Sequence, residues 1–176
     1  MTSTPATILA SEMRMMESKY TGRNYRITIS LPYAYSKSGD ENWPFKDVPS
    51  RWPVVFLPDG NWFTGMVTDI IRVMAWCSPT TDAIVVGIGY PEEEDSIESF
   101  RIARTQRESD FTPIRDEVME RDLEAESKRP VLTGDAGNFL RFIKDELIPL
   151  IESEYRVDPS KRILAGHSSG GRFATF

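Results

Sequence analysis

The chain has 176 residues, 40% hydrophobic and 27% charged, the balance of an ordinary globular protein with enough chain for one domain and a sizeable core. A net charge of −6 argues against the basic stripe that a nucleic-acid surface needs, and no window approaches the roughly 18 consecutive apolar residues of a membrane span. The one cysteine, Cys77, cannot form an internal disulfide, and residues 1–18 lack the basic start and apolar run of a signal peptide, so the cytoplasm is the default expectation.

The first predicted element is residues 25–31, where Tyr25, Ile27, Ile29 and Leu31 alternate with Arg26, Thr28 and Ser30. That period of two predicts a half-buried strand, antiparallel at a sheet edge. Residues 36–50, polar and rich in turn formers, read as a loop. Residues 53–57 form a short apolar run stopped by Pro58-Asp59-Gly60, the pattern of a buried strand. Phe63, Met66, Val67, Ile70, Ile71 and Met74 follow at helical spacing and predict a core-facing stripe, with Cys77 as a packing residue at its end. Residues 83–90 are apolar on both faces, as in a central parallel strand.

Residues 91–130 are charged and without apolar periodicity, and predict a long loop whose charge runs at 92–95 and 117–126 are solvated. Asp135 then N-caps a predicted helix with Phe139, Leu140, Ile143, Leu147, Leu150 and Ile151 on its buried face, bent or broken near Glu146 by Pro149. Residues 157–160 read as a turn and 162–165 as a short strand. Strands alternating with helices predict an α/β fold, a mostly parallel sheet covered on both faces.

Gly166-His167-Ser168-Ser169-Gly170 matches G-x-S-x-G. Alone the pattern is weak, because three fixed positions recur by chance. Here it follows a predicted strand and opens a segment, 169–176, that can start a helix, which is the setting of a nucleophile elbow. The strained turn needs Gly166 and Gly170 without side chains, lifts the Ser168 hydroxyl clear of the sheet, and aims the Ser169 amide into the same space. His167 is not the base, because adjacent side chains in a tight turn diverge; a packing role is expected instead.

From Tyr25 onward, Leu31-Pro32-Tyr33, Val55-Phe56-Leu57-Pro58-Asp59-Gly60-Asn61, Gly87-Ile88-Gly89-Tyr90, Glu146-Leu147-Ile148-Pro149 and Leu164 to Gly171 occur in an order that resembles the putative-esterase branch of the α/β-hydrolases. Arg107-Glu108-Ser109-Asp110-Phe111-Thr112-Pro113 is similar to the R-x-x-D-F-T-P signature of siderophore esterases acting on ferric enterobactin and salmochelin. The resemblance implies an α/β-hydrolase fold over 20–176, Ser168 as nucleophile, and the backbone amides of Asn61 and Ser169 as oxyanion donors. It offers Arg107 two roles: contact with the substrate, or, with Asp110, pinning of the 91–130 segment to the domain. The small-molecule partner it implies is an ester. It implies no metal and no organic cofactor, and nothing in the sequence fixes the oligomeric state.

Members of the branch continue past the elbow to supply the catalytic histidine and usually a triad acid, so the chain is expected to be one domain incomplete at its C-terminus and inactive alone. The leading expectation is a serine carboxylic ester hydrolase. An acyltransferase or peptidase on the same fold, and a non-catalytic binding module of this fold, are the alternatives.

Overall fold

A computed structural model of the chain describes residues 7–37, 40–42, 48–78, 80–91 and 96–176. The charge run at 92–95, and residues 38–39 and 43–47 of the predicted loop, lie outside the described residues.

Among the described residues five strands form one sheet in the order β1-β2-β4-β3-β5. They are β1 (Ser11–Glu17), β2 (Asn24–Ser30), β3 (Trp52–Pro58), β4 (Ile84–Gly89) and β5 (Val157–Leu164). β3 pairs in parallel with both β4 and β5, while β1 and β2 extend the sheet antiparallel beyond β4. The sequence places β2 at the edge; β1 takes that position instead. β1 carries no legible alternation because none of it is fully buried and Met13 and Met15 face solvent.

The expected strand and turn near residue 160 merge in β5. Its pairing with β3 is interrupted between Val157 and Arg162, where Asp158 Oδ1 accepts from the Ser160 amide (3.0 Å) and hydroxyl (2.7 Å).

One face of the sheet packs on α1 (Gly60–Cys77) and the other on α2 (Ile97–Phe111), α4 (Ala136–Phe142) and α5 (Ile148–Glu154). On the second face Tyr25, Ile27, Val54, Phe56, Val86 and Ile88 meet Phe111, Phe139, Phe142, Leu147 and Ile151 in one buried cluster. Each such side chain contributes about 1.5–3 kcal/mol by leaving water. Of the stripe predicted for 136–151, Leu140 is exposed and Phe142 takes its place inward. The predicted break is a π-helical turn, Ile143–Leu147, which absorbs Pro149 at the start of α5. Asp135 stands before α4 without capping it: its Oδ2 accepts from Arg23 Nη1 (2.9 Å) and its Oδ1 from Asn138 Nδ2 (2.7 Å).

The α1 stripe is a correction. The buried residues of α1 are Gly60, Thr64, Thr68 and Arg72, one every fourth position, whereas Met66, Ile70, Met74 and Cys77 are exposed. The reason is close approach. A Cβ on Gly87 of β4 would stand 1.8 Å from Thr64 Oγ1, and one on Gly60 would stand 2.5 Å from the Gly87 carbonyl carbon. Only small residues fit between helix and sheet there; of the predicted stripe Phe63, Val67 and Ile71 are half-buried, and Met66, Ile70 and Met74 turn outward.

Residues 91–130 are likewise not a long loop. They hold α2 and α3 (Glu117–Ser127), capped by Ser96 Oγ accepting from Ser99 N (3.1 Å) and by Asp116 accepting from the amides of Val118 (3.1 Å) and Met119 (3.0 Å). The apolar period is missing because the buried end of α2 includes Arg107, Glu108, Ser109 and Asp110. Most of the 117–126 charge is solvated as expected, except Glu120, which is buried and accepts from the Thr133 amide at 2.9 Å. Among the described residues no helix is long and apolar enough to cross a membrane.

Candidate active site

β3 and β5 are parallel neighbours, so the turns that leave them lie side by side at their C-terminal ends, where open α/β sheets place their ligand crevices. The last backbone link between them is Ala165 N to Phe56 O, 3.0 Å. Beyond it the chain enters α1 on one side and the elbow on the other.

In the elbow, Ser168 has φ 54° and ψ −122° and immediately precedes α6 (Ser169–Ala174). The Gly170 amide donates to the His167 carbonyl at 2.9 Å, closing a turn in which Ser168 holds the position that glycine fills in a type II′ turn. A Cβ on Gly166 would stand 2.3 Å from Gly170 backbone atoms, so entry to and exit from the turn touch directly. The result is an exposed Ser168 hydroxyl on a strained, tightly closed backbone.

In the neighbouring turn Asp59 adopts the left-handed conformation (φ 60°, ψ 35°) and opens α1. Asn61 is locked by its side chain: Nδ2 donates to the Tyr90 carbonyl (3.0 Å) and Oδ1 accepts from the Tyr90 amide (2.7 Å), binding the start of α1 to the end of β4. The Asn61 and Ser169 amides both lie in the first turn of a helix, where the backbone offers no i−4 helical acceptor. The two predicted oxyanion donors are therefore brought to adjacent turns flanking Ser168.

Arg107 has its charge occupied. Nε donates to Asp59 Oδ1 (2.7 Å), Nη2 to Asp59 Oδ2 (3.1 Å) and Nη1 to Glu108 Oε1 (2.5 Å). Burial pushes the Asp59 carboxyl above its ordinary pKa while Arg107 pulls it back; at Arg107 burial acts downward and Asp59 more than offsets it. The bidentate geometry is that of a carboxylate facing a guanidinium, and removing one partner of such a buried pair typically costs about 3–5 kcal/mol. Of the two roles open to Arg107, anchoring is the one these contacts provide.

Asp110, one turn further along α2, is fully buried. It accepts from the hydroxyls of Tyr25 and Tyr90, each at 3.0 Å, and pairs with Arg23. Burial pushes its carboxyl up to about 7 against the pull of Arg23 and the two tyrosines.

A cleft of about 320 Å³ opens over Ser168, lined by Trp62, Phe63, Phe100, Arg104, Arg107 and His167. His167 is exposed, packs its ring 5.5 Å from that of Phe63, and makes no hydrogen bond to Ser168 among the described residues. Trp62 and Phe100 meet at 5.9 Å. Arg104 pairs with Glu126 at the surface, where water competes for both charges. Trp62, Phe100 and Arg104 were not singled out from the sequence, and Asp59 and Glu108 stood inside matched motifs without a role of their own. Their only signal is position: next to the strand-end turn, or one helical turn from Arg107.

The Esterase family model, described as Putative esterase, matches residues 18–175. The ferri-bacillibactin esterase BesA of Bacillus subtilis is 32% identical over 175 residues, 98% of this chain and 54% of that protein. A siderophore enterobactin esterase of Emericella nidulans is 33% identical over 153 residues, 85% of this chain and 46% of that one. The crystal structure of the BES protein from Bacillus cereus superposes with a TM-score of 0.73 at 30% identity, over 98% of this chain and 57% of that one. The chain thus spans about half the length of the curated relatives it matches. With the match running through nearly all of its sheet and both turns, the chain belongs to the Putative esterase family and has the α/β-hydrolase fold.

Proposed function

We propose that this chain carries the nucleophile and oxyanion half of a serine carboxylic ester hydrolase acting on siderophore-type esters. The observation that carries the reading is Ser168 at φ 54° and ψ −122°, exposed at the floor of a cleft between two helix N-termini. A backbone strained by about 1–3 kcal/mol persists only where the surroundings hold it, and such strain clusters at reacting groups.

In the proposed reaction Ser168 Oγ attacks the ester carbonyl carbon and its proton passes to a base. The carbonyl oxygen becomes an oxyanion held by the amides of Asn61 and Ser169. Collapse breaks the bond to the alcohol, which leaves with the proton, and water then releases the acyl group and restores Ser168. His167 is the chain's single histidine and faces Phe63, so the base is supplied from outside these 176 residues. Trp62, Phe63 and Phe100 offer ring faces to a flat aromatic acyl group, and Arg104, paired with Glu126 at the surface, offers a cation to an anionic one. The names of the relatives and the Arg107–Pro113 signature support a siderophore ester in particular.

The test is phosphonylation of the chain by a fluorophosphonate probe with imidazole added as a base. Mass spectrometry is expected to find the label on Ser168, to find it absent in Ser168→Ala, and to find it retained, at a lower rate, in Ser169→Ala. Label spread over other serines, or surviving in Ser168→Ala, overturns the assignment.

A further inference from the structure

We infer that Glu108 is a positioning residue: its buried carboxylate is the strut that holds the two oxyanion turns at a fixed spacing. The inference rests on the reading of Ser168 as an ester-attacking nucleophile.

Asn61 and Ser169 sit on separate turns, and two amides act together on one oxyanion only if their separation is set in advance. The β3–β5 ladder does not set it, because it ends at Ala165 and Phe56, before either turn. A continuous line of side-chain bonds does. Asp59, which opens α1, accepts from Nε and Nη2 of Arg107; Arg107 Nη1 donates to Glu108 Oε1; and the Ser169 hydroxyl donates to that same oxygen at 3.2 Å. The line thus runs from the residue that opens α1 to the residue that opens α6, and Glu108 is the link between the two halves.

Glu108 has no simpler account. It is a buried glutamate on a helix, and its second oxygen, Oε2, is buried without a hydrogen bond, 3.6 Å from Arg172 Nη2. A buried ion network of this kind is weak support for stability, since an apolar side chain of similar volume does as well, and its attested use is to fix one arrangement against others. The charge is also unhelpful to catalysis by itself, because a carboxylate beside the site repels a developing oxyanion. Arg107 and Arg172 flank it on either side and offset that repulsion. What the site gains from Glu108 is its geometry as an acceptor, and glutamine supplies the same acceptor without the charge.

The experiment reads two signals in Glu108→Ala and Glu108→Gln: amide hydrogen exchange, and the rate of Ser168 phosphonylation with imidazole. Glu108→Ala is expected to speed exchange in residues 59–63 and 167–172 together, with 84–89 unchanged, and to slow phosphonylation about tenfold, as loss of a preorganised contact does. Glu108→Gln is expected to keep exchange in both turns and to label within about threefold of the parent. Should Glu108→Ala fail to fold, Ser169→Ala cuts the strut at its other end and is expected to speed exchange in 167–172 and slow labelling. Faster exchange confined to 105–111, or equal losses in the alanine and glutamine variants, overturns the inference. If the parent takes no label while the two turns still loosen together, the nucleophile reading fails and the strut stands. If Ser168 labels normally and the turns stay quiet in Glu108→Ala, the strut fails and the nucleophile reading stands.

Discussion

Replacing Ser168 by glycine should make the chain more stable. At φ 54° and ψ −122° a Cβ is carried into the mirror image of the extended region, at a strain of about 1–3 kcal/mol. Glycine adopts that conformation freely, at a cost of about 0.5–1 kcal/mol for its looser unfolded state. Alanine keeps the Cβ and therefore the strain. Because Ser168 is exposed, neither variant leaves a cavity, and the comparison isolates the backbone. Ser168→Gly is then expected to exceed Ser168→Ala by about 1–2 kcal/mol. With a urea slope of about 1–3 kcal/mol per molar, the midpoint moves up by about 0.3–2 M. Urea unfolding followed by circular dichroism measures this directly, and neither variant should take a fluorophosphonate label. Coincident midpoints for the two variants would refute the idea that the elbow stores strain.

Two further outcomes are expected. Between about pH 4 and 7 the folded chain keeps a proton on Asp110, raised by burial to about 7, while the unfolded chain loses it, so this group's contribution to stability is full at low pH and fades as pH rises through that window. Asp110→Asn, which does not titrate and still accepts from Tyr25 and Tyr90, should lose less stability than the parent between pH 5 and 8; parallel urea midpoints for the two would count against a protonated Asp110. His167→Asn should change the imidazole-supported labelling rate of Ser168 by less than about tenfold, since removal of a general base typically costs 10²–10⁴; a loss in that larger range with an unchanged melt would make His167 the base.

The parts of the fold legible in the sequence are those where the usual pattern of burial holds. β2, β3 and β4 bury aliphatic side chains at strand spacing, and the stretch from Phe139 to Ile151 buries them at helical spacing. The elbow was legible for a different reason: its backbone tolerates few residue types, so chemistry and conformation select the same letters. β1 was lost because it sits at an edge with Met13 and Met15 in water and Met16 only half-buried. The face of α1 was misplaced because at Gly60 and Thr64 the sheet comes too close for a large side chain, and Met66, Ile70 and Met74 stand in water instead. In both cases the apolar residue is present and faces outward, which periodicity alone does not reveal.

α2 is the instructive failure, because its lack of amphipathic pattern is a consequence of what it holds. Its last two turns spend their buried positions on Arg107, Glu108, Ser109 and Asp110 rather than on aliphatic side chains. Each is engaged elsewhere in the fold: Arg107 with Asp59 at the start of α1, Glu108 with Ser169 at the start of α6, Ser109 and Asp110 with Arg23, and Asp110 with Tyr25 and Tyr90 on or beside β2 and β4. Tyr90 in turn is bound through its backbone to Asn61. One turn of helix thereby reaches every segment that carries a proposed oxyanion donor. An apolar helix would cover the sheet as well, but it would fix the turns only through packing, which tolerates small shifts. Directed, buried ion pairs tolerate few, because each broken contact leaves a charge without a partner. The residues whose buried charge hides the helical period of α2 are therefore the ones that give the two turns a single relative position.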